Sequence, residues 1–147
     1  SPLHESVQGW IHNDRADCFP VDVKLEDAHA DDFDALVLPG GVQNSDQLRT
    51  CPDAVRFVCA FFEQGKPVGA ICHGALMLIE ADVVRGRRLT SWPSIHRDLE
   101  NAGAIWVDEA VVVDQGLVTS RKPDDLPQFT AKLIEEIAEG VHVGQHA

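Results

Sequence analysis

The chain has 147 residues, 44% hydrophobic and 24% charged, a balance expected of one globular domain over residues 1–147 with a core of its own. Twelve Lys and Arg against 24 Asp and Glu leave a formal net charge of −12, dispersed along the chain. Such a surface repels phosphates and anionic headgroups, so nucleic acid and membrane are excluded as expected partners, and no apolar run approaches a membrane span.

In chain order, residues 1–20 read as irregular or edge structure punctuated by Pro2, Gly9 and Pro20. "VDVKLED" at 21–27 alternates apolar and polar, which predicts a short half-exposed strand, and "EDAHADDFD" a polar turn. "ALVL" at 35–38 is apolar throughout and ends in Pro39-Gly40-Gly41, as a central parallel strand does. A helix follows from Ser45, capped there or at Asp46, broken at Pro52 and stopped at Gly65. "PVGAI" predicts a second buried strand, "HGALMLIEADVV" a second helix and "GRRLTSW" a short strand. "PSIHRDLENAG" predicts a helix between Pro93 and Gly103. "IWVDEAVVVDQGLVTS" predicts paired strands turning at Asp114-Gln115-Gly116, and the last amphipathic helix places Leu126, Phe129, Leu133, Ile134 and Ile137 on one side. Strands alternating with helices indicate an α/β fold with a mostly parallel sheet.

The chemistry concentrates at "KPVGAICHG", residues 66–74. A buried strand ends in Cys72, and a helix opens at once with His73 and Gly74. Strand, sharp turn, nucleophile and helix make a nucleophile elbow, which carries the side chain to the carboxyl edge of the sheet. The helix start aims free N–H groups and positive dipole at the sulfur, favouring thiolate. Gly74 leaves room for a substrate to approach the backbone, and the amides after Cys72 can stabilise an oxyanion. A cysteine at a strand end is otherwise an inert packed residue. "LPGG" at 38–41 ends a second strand on the same edge, where Gly40 and Gly41 offer backbone N–H groups.

Cys18, Cys51 and Cys59 read as structural, and no two of the four cysteines have C-x-x-C spacing. Free thiols point to a reducing cytoplasm. Cys72 and His73 diverge as neighbours at a helix start and no third ligand is spaced to join them, so no metal site is expected. His4, His12, His29, His142 and His146 read as solvated, and the three tryptophans as core or interface anchors.

"DALVLPGG", "GKPVGAICHGALML", "VVRGRRLTSWPSI" and "NAGAIWVDEAVVVDQGLVTSRKPDDLP" together resemble the PfpI-type branch of the DJ-one/PfpI superfamily, from about Val7 to Glu139. The resemblance implies a flavodoxin-like three-layer α/β/α sandwich related to class I glutamine amidotransferases. It also implies homodimers or higher oligomers and cofactor-free activity as an intracellular cysteine peptidase, protein deglycase or glyoxalase. Cys72 matches the nucleophile, His73 the adjacent general base or orienting histidine, and the backbone at Gly41 and His73 the oxyanion hole. The third member, an acidic residue often contributed across a subunit interface, matches Asp46 in "GGVQNSDQLR". The loops carrying Trp92 and Arg121 border the active site in the family. Members also begin with a strand, a turn whose glutamate contacts the sulfur, and a helix. Nothing here matches that segment, so an N-terminal strand and helix are expected to be missing.

Three functions follow. A Cys72 hydrolase would act on small aldehydes, glycated proteins or peptides in stress protection. A glutaminase would need a late His-x-Glu pair, and His142-Val143-Gly144 lacks the acid. A non-enzymatic stress chaperone or redox sensor would use the same oxidisable Cys72.

Overall fold

The computed structural model describes residues 4–145. The N-terminal segment is ordered where irregular or edge structure is predicted. It forms an antiparallel hairpin of β1 (Ser6–Ile11) and β2 (Asp14–Pro20), turned at His12 with φ 54° and interrupted by a register shift between Gln8 and Trp10. This ribbon is a sheet of its own and packs chiefly on itself. The strand predicted at 21–27 does not form. Leu25–Asp27 is a 3-10 turn, because among the described residues the segment has no neighbouring strand to complete its hydrogen bonds.

The main sheet has four strands in the order β3-β4-β8-β7: β3 (Leu36–Leu38), β4 (Val68–Ile71), β7 (Val111–Asp114) and β8 (Leu117–Ser120). β3, β4 and β8 are parallel, whereas β7 runs antiparallel to β8 across the predicted turn. Gln115 and Gly116 both lie at positive φ there, 49° and 82°, the backbone a two-residue hairpin needs. β4 is buried at all four positions, and its side chains alternate between two cores. Val68 and Ala70 join the larger core with Phe61, Phe62, Leu78 and Leu99. Ile71 joins Val118, Phe129 and Leu133 on the other face. There Gly69 is pressed so closely that a Cβ would sit 2.9 Å from Phe129 and 3.0 Å from Leu133. β3 is not central. It is one of the two edge strands of this sheet among the described residues, with β7 the other, and Val37 is 50% exposed.

The helices cover the two faces. On the larger-core side lie α1 (Val42–Arg49), α2 (Pro52–Glu63) and α3 (Leu76–Glu80). α1 begins at Val42 with Gly41 as N-cap, so Ser45 is a buried helix residue and not a cap. Pro52 starts α2 at its first position, where no N–H is needed. The helix predicted from His73 is shorter, a 3-10 turn over Cys72–Ala75 followed by five residues of α3. A two-strand parallel pair, β5 (Arg88–Leu89) and β6 (Ile105–Trp106), flanks α4 (His96–Asn101). α5 (Leu126–Glu139) covers the opposite face with Phe129, Leu133 and Glu136 buried, while Leu126, Ile134 and Ile137 are exposed, contrary to the predicted stripe. The result is an α/β/α sandwich of flavodoxin-like type with a mainly parallel sheet.

Candidate active site

Cys72 stands where β4 runs out, at the carboxyl edge of the parallel strands. Its φ is 62°, in the left-handed region that a residue with a Cβ enters only when its surroundings hold it there. Those surroundings are identifiable. Trp92 N donates to the Cys72 carbonyl at 3.2 Å, and β4 is fastened to β8 up to the Ile71–Ser120 pair just before the turn. The strained φ swings the half-buried side chain off the strand direction, leaving Sγ 3.3 Å from His73 Nδ1.

Two glycines make the turn possible in ways the sequence does not disclose. A Cβ on Gly40 would lie 2.7 Å from Cys72 Cβ and 3.1 Å from its Sγ, so the end of β3 rests directly on the thiol. A Cβ on Gly74 would lie 2.5 Å from the Leu38 carbonyl oxygen and 3.0 Å from that of Pro39. The space at Gly74 is therefore occupied by backbone of the neighbouring strand. Gly41 has φ 95°, which a side chain would strain, and its N–H has no acceptor among the described residues. With the free N–H groups opening the 3-10 turn, it supplies the donor type an oxyanion hole requires. The helix beyond that turn is only five residues long, so individual N–H groups rather than a long macrodipole act on the sulfur.

His73 is 8% exposed, and burial lowers its pKa below the ordinary imidazole value, keeping the ring neutral and able to accept a proton. Trp92 stacks over it with ring centroids 6.1 Å apart. Its far nitrogen, Nε2, lies 3.4 Å from Ser94 Oγ, a neighbour the sequence analysis did not single out. The signal was Pro93, which bends the chain back so that Ser94 faces the histidine. Ser91 is wholly buried and accepts a hydrogen bond from Trp106 Nε1 at 3.0 Å, bracing the same loop. Asp46 is exposed on α1, and no hydrogen bond or ion pair joins it to His73 among the described residues. Arg121 follows β8 on the Cys72 edge, but two carboxylates engage it. Asp125 receives its Nε at 2.9 Å and Nη2 at 3.0 Å, and Asp108 receives Nη1 at 2.8 Å. That pairing raises the Arg121 pKa and holds Asp125 below the usual carboxylate range. Cys59, by contrast, has its pKa raised by burial and by Glu63, consistent with a packed thiol.

The DJ-1/PfpI family profile matches residues 5–136. The chain belongs to the DJ-1/PfpI family. A deglycase of Pyrococcus abyssi is 51% identical over 115 residues, covering 78% of this chain and 69% of that protein. General stress protein 18 of Bacillus subtilis is 52% identical over 110 residues, covering 74% and 63%. Protein/nucleic acid deglycase 2 of Escherichia coli is 49% identical over 115 residues, covering 78% and 66%. The matched stretch thus spans about two-thirds of the length of these DJ-1/PfpI relatives. Among solved structures, a two-domain protein of Anabaena variabilis with DJ-1/ThiJ/PfpI-like and ferritin-like domains aligns with TM-score 0.79 and 45% identity, over 82% of this chain and 36% of that one. Drosophila melanogaster DJ-1beta aligns with TM-score 0.74 and 31% identity, over 83% and 69%.

Proposed function

We propose that this DJ-1/PfpI chain is a cofactor-independent cysteine hydrolase that removes carbonyl adducts, acting on glycated proteins or small dicarbonyl aldehydes in the cytoplasm as a homo-oligomer. Names of relatives, deglycase and putative cysteine protease among them, support hydrolase activity in the family. The observation that carries the reading here is the Cys72 Sγ–His73 Nδ1 pair at 3.3 Å, beneath donors at Gly41 and the 3-10 turn.

With methylglyoxal, the neutral His73 takes the thiol proton and the sulfur adds to the aldehyde carbon. The C–O π electrons become an oxyanion held by the backbone N–H groups, and protonation gives a hemithioacetal. His73 then removes the proton on that carbon and returns it to the adjacent former ketone carbon through an enediolate. This internal redox shift leaves a lactoyl thioester. Water adds to its carbonyl, the thiolate leaves, and lactate is released with the enzyme restored. An adduct on an amine enters the same sequence, with the amine as leaving group. Trp92 and the backbone at Gly40 line the approach to the sulfur in this reading.

The test is conversion of methylglyoxal to lactate and release of methylglyoxal-modified N-acetyl-lysine. Cys72→Ala is expected to lose activity by at least about 10³-fold and His73→Ala by about 10²- to 10⁴-fold. The acid limb of the rate should fall below about pH 6.5, since a folded-state histidine pKa below its ordinary value postpones protonation. Activity unchanged in Cys72→Ala would overturn the reading. Oxidation of Cys72 to sulfinic acid without turnover would replace it with a sensor.

A further inference from the structure

We propose that the end of α5 and the segment after it form a binding site for a divalent cation of the zinc or manganese type, with Glu136, Glu139 and His142 as ligands. The site is separate from Cys72. His142 N donates to the Gly65 carbonyl at 2.8 Å, and the His142 ring rests against Gly116, whose carbonyl accepts from Val68 N at the start of β4. The cluster therefore lies at the amino edge of the parallel strands, and Cys72 at the carboxyl edge.

Three sequence features build it. Glu136 and Glu139 are three residues apart, hence neighbours on one face of α5. Gly140, at φ 86°, turns the chain back, so that His142 returns over that face. One donor atom from each residue then lies within 4.8 Å of the other two. His142 is predicted to be solvated, yet its side chain is only 20% exposed, and that of Glu136 only 11%.

The decisive detail is how His142 and Glu136 face each other. Nε2 and the carboxylate oxygen are 3.1 Å apart, close enough for a hydrogen-bonded ion pair. Nevertheless Nε2 is buried and makes no hydrogen bond among the described residues, so the ring's N–H direction misses the oxygen. Two donors side by side with non-aligned axes are what ligands sharing one ion present. Donors about 2.0 to 2.2 Å from a tetrahedral centre are separated by roughly 3.3 to 3.6 Å, a small opening from the spacing seen here. Gln145 adds an independent sign of an unmet partner. It is fully buried, and neither its carboxamide oxygen nor its nitrogen is hydrogen-bonded among the described residues. Its Oε1 lies beside the His142 ring over Gly116, the oxygen at 2.4 Å and ring carbon Cδ2 at 2.8 Å from where a Cβ would stand. One imidazole and two carboxylates without thiolate suit zinc or manganese, whereas calcium takes six to eight oxygens. The ion would neutralise two neighbouring carboxylates and staple the C-terminal segment to α5 and the β7–β8 turn.

Titration of ZnCl2 into the Cys72→Ser protein by calorimetry tests this, the substitution removing the competing thiol of the catalytic pair. One equivalent is expected to bind and to raise the melting temperature. Adding His142→Ala should weaken that binding by about 100-fold, and adding Glu139→Gln by about 10-fold. Glu139 is exposed, so its variant keeps the test decisive if His142→Ala does not fold. Zinc affinity unchanged by both substitutions, or no binding at millimolar ZnCl2, would overturn the assignment and leave His142–Glu136 as a plain ion pair.

Discussion

The two strands that end beside Cys72, β4 and β3, are equally apolar in sequence and differ completely in setting. β4 is enclosed between β3 and β8 and buried at every position, whereas β3 has a neighbour on one side only among the described residues and leaves Val37 half exposed. Beside Leu36 of β3 opens an apolar cavity of about 350 Å³ lined also by Val23, Phe33 and Phe57 among others, and in the N-terminal hairpin Trp10, Ile11 and Phe19 are more than half exposed. The strained thiol is placed by the enclosed half. β4, paired on both sides, is part of what holds Cys72 at its positive φ of 62°.

This contrast can be broken experimentally in decreasing steps. Phe61 is fully buried and Phe19 is 55% exposed, so Phe61→Ala should cost about 4 kcal/mol in urea unfolding and Phe19→Ala about 0.5 or less. Equal losses would mean that the hairpin is as well packed as the core. Next, Gly74→Val drives a side chain into the Leu38 and Pro39 carbonyls, which are backbone and cannot step aside. A loss of about 3 kcal/mol is expected, together with slower alkylation of Cys72 by iodoacetamide. Mass spectrometry of the alkylated wild type should show Cys59, whose pKa is raised by burial and Glu63, lagging behind Cys72.

Asp125→Asn sharpens the comparison on the carboxyl edge by removing a buried partner of Arg121, for about 2 kcal/mol by thermal unfolding at pH 7. Its pH dependence has a definite sign. Arg121 lowers the folded-state pKa of Asp125, so the stabilisation is fully present above the ordinary carboxylate value of about 3.9. It is lost as pH falls through the depressed folded value. Wild type and Asp125→Asn should therefore converge in stability toward low pH. The smallest effect is expected at the open edge, where Val37→Thr should change stability by less than about 0.5 kcal/mol.

Much of this was legible because local patterns were strong. The apolar run before Cys72 and the turn at Gln115-Gly116 each have a single good structural solution, and the elbow and the β7–β8 hairpin follow from them, as the last helix follows from its own amphipathic spacing. What was not legible depended on neighbours. "VDVKLED" has strand periodicity and no strand beside it, so it curls into a 3-10 turn. Ile134 and Ile137 have helical spacing, yet the surface that α5 covers reaches only Phe129, Leu133 and Glu136. At the site, Cys72 and His73 are adjacent and therefore visible as a pair. Ser94 is 21 residues from His73 and reaches it only through the loop at Pro93. The family resemblance sets the Arg121 loop beside the site, but its partners Asp108 and Asp125 stand 13 and 4 residues away and only the fold brings them to it.

By itself, then, the sequence determined which strand ends in a thiol, which residue follows it, and where glycines interrupt the chain, since these depend on contiguous residues and backbone allowance. Tertiary structure alone decided that the space at Gly74 belongs to the Leu38 carbonyl, that His73 is buried and neutral, and that His142 turns inward upon Glu136. Those outcomes rest on which surfaces meet and on how far each meeting displaces water, quantities no single segment carries.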